Sequence, residues 1–155
     1  MSGKFESRHE LVGLIDEVTR ISGRLKSLFA EARRTVELND SEMMVLNSVV
    51  EADRSPTVSQ IGRSLGQPRQ IVQRAANSLL DAGLLETMPN PDHKRAPLLI
   101  ASASGTKMKR KADACADAVA AGLTNGLDLA DVAKATKRLR KVRQQLEAQL
   151  RIKEA

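Results

Sequence analysis

Apolar positions along the chain form two long helical seams, one at each end, with shorter patterned segments between them. From Phe5 to about Glu37, the residues Leu11, Leu14, Val18, Ile21, Leu25, Leu28 and Ala32 alternate at spacings of three and four, predicting a helix with a narrow apolar stripe. Asn39-Asp40-Ser41-Glu42 supplies capping chemistry for a second helix, with Met44, Val45, Ser48 and Val49 on one face and an end near Asp53. Pro56 disfavours helix in the residue before it, so Arg54-Ser55-Pro56 is a break. Val58, Ile61 and Leu65 then stand at core spacing in a third helix opened by Thr57 or Val58 and closed by Gly66. Pro68 suits the first turn of a fourth, in which Ile71, Val72, Ala75, Leu79 and Leu80 are expected to face inward and which Gly83 ends.

Two strand candidates follow, Leu84 to Met88 and Pro97 to Ala101, around the Pro-rich basic loop Pro89-Asn90-Pro91-Asp92-His93-Lys94-Arg95. Strands joined in this way form a β-hairpin of the kind called a wing. After Ser102 the pattern is helical to about Gly122. A loop at Thr124-Asn125-Gly126 leads to a last helix whose Val132, Ala135, Leu139, Val142, Leu146 and Leu150 repeat every three or four residues. The expected fold is mainly α with a small β-hairpin, a winged helix-turn-helix flanked by N- and C-terminal helices. It divides into residues 1–38, 39–101 and 102–155 within one compact subunit.

Charge sharpens this picture. Residues 1–53 carry 7 basic and 10 acidic side chains, residues 54–111 carry 10 and 3, and residues 112–155 carry 8 and 6. Positive charge is thus concentrated on the helix-turn-helix and hairpin, where cations near phosphates release condensed counterions and favour a polyanion. A charge-only reading leaves a solvated basic surface as the bland alternative. The absence of a long apolar run and of a leader pattern makes a soluble, cytoplasmic protein with no membrane partner the expectation. Cys115 with only His9 and His93 supplies too few soft ligands for zinc, so neither a metal nor a cofactor is expected. No Ser-His-Asp, Cys-His or phosphate-loop arrangement indicates an enzyme.

The helix over 68–83 carries the chemistry. Arg69, Gln70, Gln73, Arg74 and Asn77 lie opposite its apolar positions, with no acid before Asp81. Arginine can bond guanine O6 and N7 as a fork, and glutamine can pair with adenine N6 and N7, so this face can report sequence as well as charge. Ser59, Arg63, Lys94 and Arg95 read as phosphate or minor-groove contacts, whereas His93 reads as a solvated loop histidine ahead of a wing contact. For Arg63, Lys94 and Arg95 the alternative is ordinary surface.

The order of elements, together with LGQPRQIVQR (Leu65 to Arg74), DAGLLE (Asp81 to Glu86) and NPDHKRAPLLI (Asn90 to Ile100), resembles the MarR family of winged helix-turn-helix transcriptional regulators. Pro68 stands where many relatives carry a capping serine, and Asn90, His93 and Lys94 stand where many have Asp, Asp and Arg. The resemblance implies a homodimer joined through the terminal helices, by Leu11, Leu14, Val18 and Ile21 with Leu139, Val142, Leu146 and Leu150. It implies a repressor whose two reading helices, Pro68 included, meet double-stranded DNA about one turn, roughly 34 Å, apart on a pseudo-palindromic site. Family members often respond to small aromatic ligands or to oxidants through a cysteine. Here, with only Phe5 and Phe29, an aromatic-lined pocket is not expected, an aliphatic effector site of unknown identity stays open, and Cys115 reads as a packing residue. The alternative function is a winged-helix interaction module that docks on protein or binds nucleic acid without sequence preference.

Overall fold

A computed structural model describes residues 9–123 and 125–154 of the chain, with side chains to residue 150. Its elements run α1 (Glu10–Leu28), α2 (Ala30–Arg34), α3 (Asp40–Val50), α4 (Val58–Leu65), α5 (Arg69–Asp81), β1 (Leu85–Met88), β2 (Leu98–Ala101), α6 (Ala103–Gly122) and α7 (Leu129–Glu154). This is a mainly α-helical fold with a small antiparallel hairpin, as the sequence pattern predicts. The chain separates into two compact units, Met1–Asp117 and Ala118–Ala155.

In the first unit the core is built where α3, α4, α5 and the hairpin meet. Val45, Leu46, Val49, Ile61, Val72, Ala75, Ala76, Leu79, Leu84, Leu85 and Leu99 are buried together. Each helix entering it is capped by its own sequence. Asn39 accepts the Glu42 N–H at 2.9 Å while Glu42 Oε2 accepts the Asn39 N–H at 3.0 Å, a reciprocal box at the start of α3. Thr57 and Gln60 repeat the device at α4. Gly66 closes α4 at φ 62°, the left-handed conformation that glycine adopts without steric cost.

Four expectations are corrected. The first helix does not run unbroken towards Glu37: Phe29 (φ −94°, ψ 9°) interrupts it, although the hydrogen-bond ladder continues through Phe29 to Leu25 and from Arg33 to Phe29. Residues Phe5 to Arg8 of that expectation lie outside the described residues. On α3 the innermost side chain is Leu46, and Met44 and Ser48 are only half-buried. On α5 Ile71 is 42% exposed, and the buried stripe is Val72, Ala75, Ala76 and Leu79. Pro68 caps α5 and is not its first helical residue.

The hairpin pairs Leu85 with Ala101 and Met88 with Leu98. Beyond it, the Leu99 N–H donates to the Pro56 carbonyl at 2.8 Å, anchoring β2 to the break before α4. The start of α6 is bound tightly to the end of the helix-turn-helix. Ser102 Oγ accepts the Gly105 N–H, capping α6, and donates to the Gly83 carbonyl at 2.6 Å, while the Ser102 N–H donates to the Leu84 carbonyl. A Cβ at Gly105 would lie 2.0 Å from that Leu84 oxygen, so only glycine fits.

Further along α6, Lys109 is 7% exposed and meets Glu51 at 3.2 Å and also Asp113. Burial alone would lower its pKa, but the hydrogen bonds and charges of Asp113 and Glu51 outweigh that and hold the ammonium above its ordinary value. Glu51 caps the C-terminal end of α3, where a carboxylate opposes the helix dipole, and Lys109 offsets it.

α1 has no buried residue: Leu11, Val18 and Ile21 are exposed, and Leu14 is half-buried. In the second unit, Leu139, Leu146 and Leu150 of α7 are likewise exposed and Val142 half-buried.

Candidate nucleic-acid interface

The local sequence explains how α5 is presented. α4 ends at a left-handed glycine, the chain turns through Gln67, and Pro68, which has no N–H to leave unpaired, stands at the N-cap of α5. A Cβ at Gly62 would sit 3.1 Å from the Gln67 carbonyl, so the small residue lets the turn close against α4. Burial of Val72, Ala75, Ala76 and Leu79 turns the opposite side of α5 outward.

That outward side collects the expected residues unequally. Pro68, Arg69, Gln70, Arg74 and Asn77 are exposed, and Gln73 is half-buried. Gln73 Nε2 donates to Asn77 Oδ1 at 3.0 Å, which fixes both amides on one side of the helix. The bond uses one Gln73 donor and leaves its carbonyl oxygen and second N–H free, the pair that adenine N6 and N7 require. Arg74 sits towards the other edge, lining a cleft with Asn39, Asp40, Ser41 and Glu42 at the start of α3 and with Ile71 and Ser78 of α5. It is therefore set apart from the Gln73–Asn77 pair.

Ser59 is half-buried and Arg63 exposed on α4, whereas His93, Lys94 and Arg95 are exposed at the tip of the hairpin loop. The loop is held by a residue that charge reasoning missed. Asn90 Nδ2 donates to the Ala96 carbonyl at 2.8 Å, and its Oδ1 accepts the Asp92 N–H at 3.0 Å. An Asn between two prolines, with its side chain returning to the backbone two residues on, is an Asx-turn signal legible in Pro89-Asn90-Pro91-Asp92. A second missed tie is Ser78, whose hydroxyl donates at 2.7 Å to Glu42 Oε1, so a single carboxylate both caps α3 and braces α5. On α6, half-buried Cys115 accepts a long hydrogen bond from Thr35 at 3.4 Å. No group of three or more potential ligands capable of holding a metal occurs among the described residues. No described helix is long and apolar enough to cross a membrane.

Two helices joined by a left-handed turn, the second outward-facing and followed by a braced basic hairpin, define a winged helix-turn-helix protein. The sequence profile of the MarR family matches residues 37–96, from the α3 cap to the wing. An uncharacterized protein of Mycobacterium tuberculosis is 38% identical over 99 residues, covering 64% of this chain and 68% of its own length. The chain belongs to the MarR family; it is a DNA-binding transcriptional regulator and not an enzyme. The same fold is seen in a MarR-family transcriptional regulator from Rhodococcus sp. RHA1, at TM-score 0.76 and 18% identity over 88% of this chain and 96% of that one. It is seen again in a cysteine-to-serine mutant of MarR from E. coli complexed with operator DNA, at TM-score 0.71 and 22% identity over 91% and 99%.

Proposed function

We propose that the protein is a homodimeric, sequence-specific repressor of a pseudo-palindromic operator, with α5 in the major groove and the wing on backbone or minor groove. Residues 39–101 form the DNA-binding part, and residues 1–38 and 102–155 the dimerisation parts. The observation that carries the reading is the outward face of α5, where Arg69 and Gln70 are exposed beside the hydrogen-bonded Gln73 and Asn77. Arg69, Gln70 and Gln73 read base edges, with Arg74 and Asn77 on either side of them and Pro68 setting the start of the helix. Ser59, Arg63, Lys94 and Arg95 hold phosphates, and His93 stands beside them at the wing tip.

Dimerisation is supported by the apolar seams. Leu11, Leu14, Val18 and Ile21 of α1 and Leu139, Val142, Leu146 and Leu150 of α7 retain substantial exposure in the single chain. Each such side chain gains about 1.5–3 kcal/mol on full burial. An aliphatic small-molecule effector site, of unknown identity, stays open as a route of regulation. The protein acts in the cytoplasm.

Selection of bound duplexes from a random pool tests the reading. It should return a two-fold symmetric site whose half-sites are about 10 base pairs apart. On the selected duplex, Gln73→Ala should relax preference at one position of each half-site and leave the salt dependence unchanged. Equal affinity of the parent protein for selected and scrambled duplexes would instead assign it the role of a non-specific interaction module.

A further inference from the structure

Positive charge is concentrated a second time in the sequence, on α7. Between Lys134 and Arg143 the helix holds six cations and no acid. Lys134, Lys137, Arg138, Arg140 and Lys141 are exposed and, with Gln144, outline one shallow groove. At helical periodicity Lys137 and Lys141 lie opposite Leu139 and Leu146, with Lys134 and Arg140 to either side of them, while Arg138, four residues before Val142, flanks the apolar seam. Lys134 reaches Asp131 at 3.6 Å and Arg143 pairs with Glu147 at 2.6 Å, whereas among the described residues Lys137, Arg138, Arg140 and Lys141 have no anionic partner. Lys137 stands three residues from Arg140 and four from Lys141, and Lys134 four from Arg138, spacings at which like charges repel and weaken a helix. A solvated helix face relieves such repulsion with interspersed Glu or Asp. This one carries no acid from Lys134 to Arg143.

We propose that this face of α7 is a second polyanion-binding surface, which takes the phosphate backbone of duplex DNA independently of α5 and the wing. From Lys134 to Lys141 the helix rises roughly 10 Å. Duplex DNA carries a charge about every 1.7 Å along its axis, so several phosphates come within reach of the cluster at once. α7 has no aromatic side chain on which an unpaired base could stack, so single-stranded nucleic acid gains nothing there beyond charge. A membrane surface would take α7 by its apolar side, which the proposed dimer covers, and α7 has none of the aromatic anchors of an interfacial helix. Lys137 and Lys141, opposite the seam, stay free when it is covered by a second copy. Contacts of this kind add affinity without sequence preference.

The proposal rests on the protein being a DNA binder, but not on which bases α5 reads. Its test is the salt dependence of the full chain on a mixed-sequence DNA duplex, for the parent and for the combined Lys137→Gln, Arg138→Gln, Arg140→Gln, Lys141→Gln variant. The log–log slope should fall by about 0.9 for each phosphate contact removed, about 2–4 in all, with base preference on selected duplexes unaltered. An unchanged slope, with sedimentation and far-ultraviolet circular dichroism like those of the parent, overturns the proposal. The charge-preserving set Lys137→Arg, Arg138→Lys, Arg140→Lys, Lys141→Arg should keep the parent slope. Equal loss in that set would trace the effect to helix packing and also overturn it. Binding to phosphatidylglycerol vesicles that the glutamine set abolishes, alongside an unchanged duplex slope, would assign the face to lipid. Should Gln73→Ala leave base preference untouched while the glutamine set lowers the slope, the α5 assignment fails and the α7 one stands.

Discussion

Single side chains at the seams between elements hold the reading surface in place. Asn90 is one, bridging the Ala96 carbonyl and the Asp92 N–H across the wing loop. Asn90→Ala should weaken binding to selected and scrambled duplexes alike, by about 1 kcal/mol, because ordering of the loop is lost and no base contact is. A change confined to one base position, measured by competition, would contradict that role. Gly105→Ala should destabilise the fold by 1–3 kcal/mol or more in urea titrations, since its methyl group meets the Leu84 carbonyl and the backbone must move. Lys109 gives a pH signature. Its folded pKa is raised above the unfolded value near 10.5, so its stabilisation is fully present below that pH and is lost as pH rises through the folded pKa. Lys109→Met should therefore lower stability at neutral pH and converge with the parent at strongly alkaline pH. A constant difference between the two across that range would dismiss the pairing with Glu51 and Asp113.

At the scale of elements, the recurrence of apolar residues and their caps made the hairpin and all the helices but the separate α2 readable, and the misses have physical causes. Ile71 and Val72 are adjacent, so they point about 100° apart and cannot both lie at the middle of a narrow buried stripe. The stripe centres on Val72 and Leu79, leaving Ile71 at the edge of a cleft. Ile71→Ala should consequently cost less than about 1 kcal/mol, and Val72→Ala about 2 kcal/mol, by thermal or denaturant unfolding. A larger loss at Ile71 would reverse the assignment. The interruption at Phe29 has no sequence signal, for no Gly or Pro marks it and the apolar alternation runs through from Leu28 to Ala32. The Asn39 and Thr57 boxes were more legible, because the capping residue and its partner stand three positions apart in the chain.

For the whole molecule, the family and the class of activity could be read from motif order, whereas tertiary ties could not. Ser78 and Glu42 are 36 residues apart, and nothing local in either segment announces their hydrogen bond. The α7 cluster is plain in the sequence as a run of cations, but its significance depends on which cations have partners. The exposed seam of α1 sets the expectation at this scale. On the proposed dimer, Val18→Glu with Ile21→Glu should yield monomers in sedimentation experiments and lower operator affinity at least tenfold, through loss of the second half-site. A monomeric parent at micromolar concentration would remove the basis for that expectation.

β2 ends at Ala101 and α6 starts at Ala103, with Ser102 between them bonded on both sides. The junction has no slack, so strand and helix share a fixed rotational phase. One residue inserted after Ala101 would turn α6 by about 100°, removing Gly105 from the Leu84 carbonyl and Lys109 from Glu51 together. The loop around His93 is tied across itself by Asn90 but feeds no helix, so an inserted residue there disturbs only that tie, whereas eight residues later it rephases all of α6.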